Sequence, residues 1–221
     1  MRGALSLSLL LILLACAPSS SKQQLPNDCR ASASSEQLRE NCWLLQDAIW
    51  RLRQSALLEI GSRKIPMEGF LRLDLQNRKA RLVTMNEVGL VLFDLLVDEQ
   101  GEQLQRAVPQ IEKLNGVAQG VAVSLRQLFL TPRPQLTDHL QNRGSSQRLW
   151  RLLPGGSLGF IFDYAGDLRE TRQVADTGDW RIYYDQYRDY FEARLPERLI
   201  YHDFRHGVKL SLWLREVKRE P

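Results

Sequence analysis

No apolar stretch in the 221 residues approaches the roughly 20 needed to cross a bilayer core. The longest, Ala4 to Leu14, is about 11 residues and suits the apolar part of a signal peptide instead. Runs of like charge are also missing. The 30 basic and 26 acidic residues are interspersed and leave a formal charge of +4, so nucleic acid is not an expected partner and attraction to anionic lipid headgroups is weak and salt-screened. Paired carboxylates, a phosphate loop, zinc-ligand spacing and a dinucleotide fingerprint are all lacking. Neither an enzyme, a metal nor a cofactor is expected. What is present is ordinary globular composition: 43% apolar, 25% charged, 14 Gly and 9 Pro. It excludes collagen-like, coiled-coil and mostly disordered chains, and the length fits one compact domain.

The N-terminus carries the clearest short motif. Met1-Arg2 precedes the apolar stretch, and Leu13-Leu14-Ala15-Cys16 resembles a bacterial lipobox, in which the cysteine is acylated and the signal is cut before it. The resemblance implies a signal peptide at 1–15, lipidation of Cys16, and a mature chain held on a membrane by several acyl chains. The small and polar tract from Ala17 makes 16–34 a tether, with the folded domain at 35–221. Ala17 stands where an Asp marks inner-membrane retention in enteric-type bacteria, so by the same resemblance the outer membrane is the expected destination, with the domain in the periplasm. Two cysteines remain, Cys29 and Cys42. In an exported chain they read as a disulfide closing a loop of about 14 residues, worth roughly 3 kcal/mol; the alternative is two free thiols.

From residue 49 onward, short alternating segments are punctuated by turn signals. Val208, Leu210, Leu212 and Leu214 face one way, against Lys209, Ser211, Trp213 and Arg215, and Leu71, Leu73 and Leu75 alternate with Arg72 and Asp74. About eleven strands are predicted, and their short connections require antiparallel pairing. Ser35-Glu36-Gln37-Leu38 opens a short helix, capped by Ser34 or Ser35. One segment, 113–130, has helical period, with Leu114, Val117, Val121, Leu125 and Leu128 on one stripe and Thr131-Pro132-Arg133-Pro134 as its stop. Such a helix between two runs of strands must bury its stripe on the sheet, as a plug or lid. The segment Val88 to Val97 is apolar on both faces, which calls for a cover on each side: protein on both, or the helix on one and a lipid on the other.

An anchored cysteine, a long antiparallel meander and one central helix resemble the LolA/LolB superfamily of lipoprotein carriers and receptors, in particular a family of uncharacterised outer-membrane lipoproteins within it. The resemblance rests on Ala80 to Leu95, on Leu128-Phe129-Leu130-Thr131-Pro132, and on Leu195-Pro196-Glu197-Arg198-Leu199-Ile200 followed by Val208 to Arg215. It implies a mainly β (α+β) fold: a curved antiparallel sheet or half-open barrel with a helical lid over an apolar cavity for acyl chains. The candidate cavity residues are Phe70, Phe93, Leu95, Val117, Val121, Leu125, Phe160, Phe162, Trp180 and Tyr184. The turn at Met85-Asn86-Glu87-Val88-Gly89 corresponds to the receptor's membrane loop, with Met85 and Val88 as its apolar candidates.

The expected function is therefore non-catalytic binding of acyl chains of lipids or lipoproteins. The alternative is a structural or adaptor lipoprotein with a filled core, touching partners through Trp43, Trp50 and Trp150 where exposed. Gly155-Gly156-Ser157-Leu158-Gly159 matches a hydrolase elbow, but a strand-like segment follows where a helix is required. His202 and His206 lack a third ligand and read as turn residues. Of the tyrosines 183, 184, 187 and 190, the first two must face opposite sides of a strand, and core packing with rim hydrogen bonds is their expected role.

Overall fold

A computed structural model describes residues 33–112, 116–176, 178–191 and 193–220. Cys16, Cys29, Leu114 and the signal segment lie outside the described residues. Helix α1 (Ser35–Glu40) begins as expected. Ser34 Oγ accepts from the Gln37 backbone N–H while the Gln37 side chain accepts from the Ser34 N–H, a reciprocal capping box. A 3-10 turn at Trp43–Leu45 then leads into the sheet.

The described residues form twelve strands, not eleven: β1 Ile49–Ile60, β2 Arg63–Asp74, β3 Lys79–Met85, β4 Val91–Val97, β5 Glu102–Ala107, β6 His139–Arg143, β7 Ser146–Leu153, β8 Gly156–Phe162, β9 Leu168–Ala175, β10 Trp180–Tyr190, β11 Ala193–Asp203 and β12 Val208–Arg219. All pairings are antiparallel, in the order β5-β4-β3-β2-β1-β12-β11-β10-β9-β8-β7-β6. Two meanders are thus joined along β1 and β12, and β5 and β6 remain as unclosed edges. The strand missed from sequence is β6, an edge strand whose His-Leu-Gln-Asn-Arg has a single apolar residue and no alternation to read.

Alternation decides the faces. Trp50, Leu52 and Ala56 of β1, Leu71 and Leu73 of β2, Leu212 and Leu214 of β12 all point inward and are buried. Register shifts at Arg53/Gln54, Thr84/Met85, Asp94/Leu95 and Ile161/Phe162 insert bulges that bend strands and increase local twist, helping so wide a sheet to curl.

The segment that joins the two edge strands supplies the cover. After the short helix α2 (Pro109–Glu112) comes α3 (Val117–Leu125), which continues as a π-helical turn at Arg126–Leu130. The predicted helix 113–130 is therefore shorter at its start. Gly116 sits at φ +83, a left-handed conformation at which an α-helix cannot continue.

Candidate functional site

The concave face and its cover form one apolar cluster. Phe93 and Leu95 from β4, Phe160 and Phe162 from β8, Trp180 and Tyr184 from β10, and Leu125 from α3 are each between 0% and 7% exposed and belong to a single core. Seven of the ten sequence candidates thus converge. Val121 is half-buried against the same core, and Val117 is half-buried at the start of α3. Phe70 is a correction: it is 45% exposed, on the convex face. Its neighbours Leu71 and Leu73 alternate inward with it, so strand parity forces its ring outward.

The interior is closed in this conformation by two protein segments. The first was not legible as a core element: Leu38, Cys42, Trp43 and Leu44 are essentially inaccessible, and Trp43 meets Phe129 and Tyr184 edge-on at ring-centroid distances of 6.2 and 6.1 Å. Trp43 and Trp50 are accordingly core residues, not surface contacts; Trp150 is partly exposed. The second is the lid, whose Ala122, Leu125, Leu128, Phe129 and Leu130 are buried. Two open surface grooves, of about 480 and 610 Å³, reach none of Phe93, Leu95, Phe160, Phe162, Trp180 or Tyr184.

The two halves of the lid differ in how they are held. Arg126 donates to the Asp98 carbonyl at 2.7 Å and pairs with Glu102 at 2.7 Å, and Tyr201 donates its hydroxyl to Gln127. Just beyond the lid, Arg133 donates to the Leu75 carbonyl, and Arg151 bridges the Arg133 carbonyl to the fully buried Asp138 carboxylate. The start of α3 has no comparable anchors among the described residues. Val117, Ala118 and Val121 are half-buried, Gln119, Gly120 and Val123 are exposed, and no side chain caps the helix.

One end of the sheet gathers several of the exposed apolar residues. Antiparallel order places the β1–β2, β3–β4, β7–β8, β9–β10 and β11–β12 turns on one rim, from which the chain also leaves β5 towards the lid. Ile60, Val88, Leu90, Leu152, Val174 and Phe204 stand exposed along it, Val88 at 87%. Met85 is half-buried. On β4, Phe93, Leu95 and Val97 face the core, whereas Leu96 on the opposite face is exposed, so protein does not cover both of its sides.

The remaining motifs are structural. Ser157 lies inside β8 in a β7–β8 hairpin, with no helix following it. His206 pairs with Asp203 at 2.8 Å, His202 packs against Tyr183 and Phe204, and no cluster of three or more metal-binding side chains occurs among the described residues. Tyr183 and Tyr184 do face opposite sides, and the Tyr184 hydroxyl reaches Thr171 at 3.2 Å.

Cys42 is a free thiol, completely buried, and Cys29 lies outside the described residues. Burial pushes the thiol from 9.0 up to about 12, against a smaller opposing effect of the Leu44 backbone and Arg133. The folded state therefore binds this proton more tightly than the unfolded chain does. That contribution is complete below pH 9 and is lost as pH rises towards about 12, about 4 kcal/mol across the window. Thermal unfolding followed from pH 8 to 11 should show the melting temperature falling only above pH 9, and in Cys42→Ala the fall should be shallower. Reduced native protein should also leave Cys42 unmodified by iodoacetamide until denaturant is added; rapid native labelling would contradict its burial.

Comparison with solved structures shows what architecture this is. A LolA superfamily protein from Nitrosomonas europaea superposes with a TM-score of 0.55 at 9% identity, covering 86% of this chain and 95% of that one. The chain has a LolA-like fold. A second match, described as an outer-membrane lipoprotein-sorting protein domain, from Vibrio parahaemolyticus, gives a TM-score of 0.55 at 9% identity over 84% of this chain and 90% of that one. No protein-family model matches the sequence, and no curated protein matches it. The LolA-like half-barrel with its crossing lid therefore rests on architecture, with almost no shared sequence.

Proposed function

We propose that this is a lipid-anchored envelope protein, held at the outer membrane by acyl chains on Cys16 and a tether over 16–34, that binds acyl chains of lipids or acylated proteins on its concave face without making or breaking bonds. One observation carries the reading: a broad apolar concave face is covered by a separate helix that is firmly anchored at its C-terminal end and loosely packed at its start. An acyl chain would displace the first turns of α3 and take over their apolar contacts, driven by about 25 cal/mol per Å² removed from water. The exposed apolar turns, with Val88 foremost, would meet the membrane or the amphiphile first. The Vibrio protein's description as lipoprotein-sorting supports this reading.

Gly120 gives a direct handle on the lid. A Cβ there meets nothing within 4 Å and its φ is not left-handed, so Gly120→Ala fits and raises helix stability by about 1 kcal/mol. The variant should melt a few degrees higher and take up acyl chains more slowly; unchanged uptake in a stabilised variant would argue against lid opening.

Native mass spectrometry of protein isolated from a bacterial envelope tests the function itself. A retained acyl species in stoichiometric amount is expected. A clean apo mass, unchanged after incubation with phospholipid and acylated peptide, would remove the carrier reading. It would leave the second one, an adaptor with a permanently filled core, which the closed interior favours.

A further inference from the structure

Among the few polar residues buried on the concave face, Thr171 and Gln147 have hydrogen-bond partners, whereas two others share one row across the sheet without any. The register aligns Leu214, Gln54, Gly69, Thr84 and Phe93 on β12, β1, β2, β3 and β4. Gln54 is 3% and Thr84 2% exposed. Both face inward by the alternation that buries Leu52 and Ala56 beside Gln54 and Ala80 and Leu82 beside Thr84. The Gln54 Oε1 and Thr84 Oγ1 atoms are both buried and have no hydrogen-bond partner among the described residues. Leaving such a group unpaired costs about 1–3 kcal/mol, so two in one row call for an explanation.

The intervening glycine leaves room between them. A Cβ at Gly69 would lie 3.2 Å from Gln54 Nε2 and 3.3 Å from its Cγ. The carboxamide of Gln54 thus extends over the bare backbone of β2, toward the strand that carries Thr84. Any side chain at 69 would have to displace it. A carboxamide and a hydroxyl along one row offer both donors and acceptors. A group with an N–H and a C=O side by side, an amide, can pair with both, whereas an ester supplies the carbonyl alone.

We propose that Gln54 and Thr84 form a polar subsite for the amide linkage of an N-acylated amphiphile, whose hydrocarbon chain lies along the apolar residues of the same face. This rests on the acyl-binding reading above and adds the linkage chemistry. Discrimination is expected because a buried site built to hydrogen-bond a donor rejects the isostere that lacks it more strongly than an apolar pocket rejects a missing methylene.

The test uses the full chain and two probes that differ by one atom: N-dodecanoylglycine and its ester counterpart, O-dodecanoylglycolate, measured by competition in native mass spectrometry. The expected result is that the amide binds at least about tenfold more tightly than the ester. In Gln54→Leu and in Thr84→Val, each verified as folded by its melting transition, the preference should shrink several-fold. Equal binding of both probes by the natural protein overturns the subsite and leaves acyl binding standing, as does an amide preference that survives in both variants. Binding of neither probe overturns the subsite together with the reading on which it rests.

Discussion

Replacing Arg151 by Met should destabilise the fold by about 3–5 kcal/mol, the cost of leaving a buried partner charge uncompensated. The Asp138 side chain has no exposure, and Arg151 reaches it at 2.8 and 3.1 Å while also donating to the Arg133 carbonyl. The backbone N–H of Gln135 supplies a further bond to Asp138, at 2.9 Å, but does not neutralise its charge. This pair ties the segment that follows the lid to β7, so its loss should act on the lid's fixed end. Denaturant titration checks it: a shift in midpoint corresponding to less than about 1 kcal/mol would mean that the pair behaves like a surface ion pair. Replacing both Arg151 and Asp138 with apolar residues of similar size should recover much of the loss.

Phe129→Ala should cost a comparable amount, about 3–5 kcal/mol, from lost burial and the cavity left behind. Phe129 is 1% exposed and lies edge-on to Trp43, which in turn lies edge-on to Tyr184 of β10. One ring therefore couples the lid, the N-terminal plug and the sheet. The variant should bind a solvatochromic hydrophobic dye under native conditions, since loosening the lid uncovers the concave face. If stability falls without dye binding, Phe129 contributes to the core but does not hold the cover in place.

The parts of this fold that were legible in the sequence are those whose period matches the burial. The alternation of Leu210, Leu212 and Leu214 and of Leu71 and Leu73 identified strands and their inward faces. The same logic places Phe70 outward: parity, not the apolar character of its ring, decides its face. The cap of α1 was legible only to within one residue, Ser34 or Ser35, because either serine can reach the first turn; the reciprocal bond to Gln37 selects Ser34. The lid's stripe was visible, but its start was not, because Gly116 ends the helix through a backbone conformation that the apolar period does not report. Neither β6 nor the Cys42-Trp43-Leu44 plug carries a periodic signal; each acquires its place from tertiary contacts. The polar row was out of reach for another reason. Gln54, Gly69 and Thr84 are distant in sequence and meet only through strand register.

The proposed lid opens at its beginning while its end stays fixed, and hydrogen exchange resolved along 116–130 measures this most directly. In the ligand-free protein the amides of 117–123 should exchange faster than those of 126–130, and addition of an N-acylated amphiphile should change exchange in the first group while leaving the second nearly unaltered. Uniform slow exchange along the whole segment, unaffected by the amphiphile, would contradict an opening lid and describe a protein whose concave face is permanently closed.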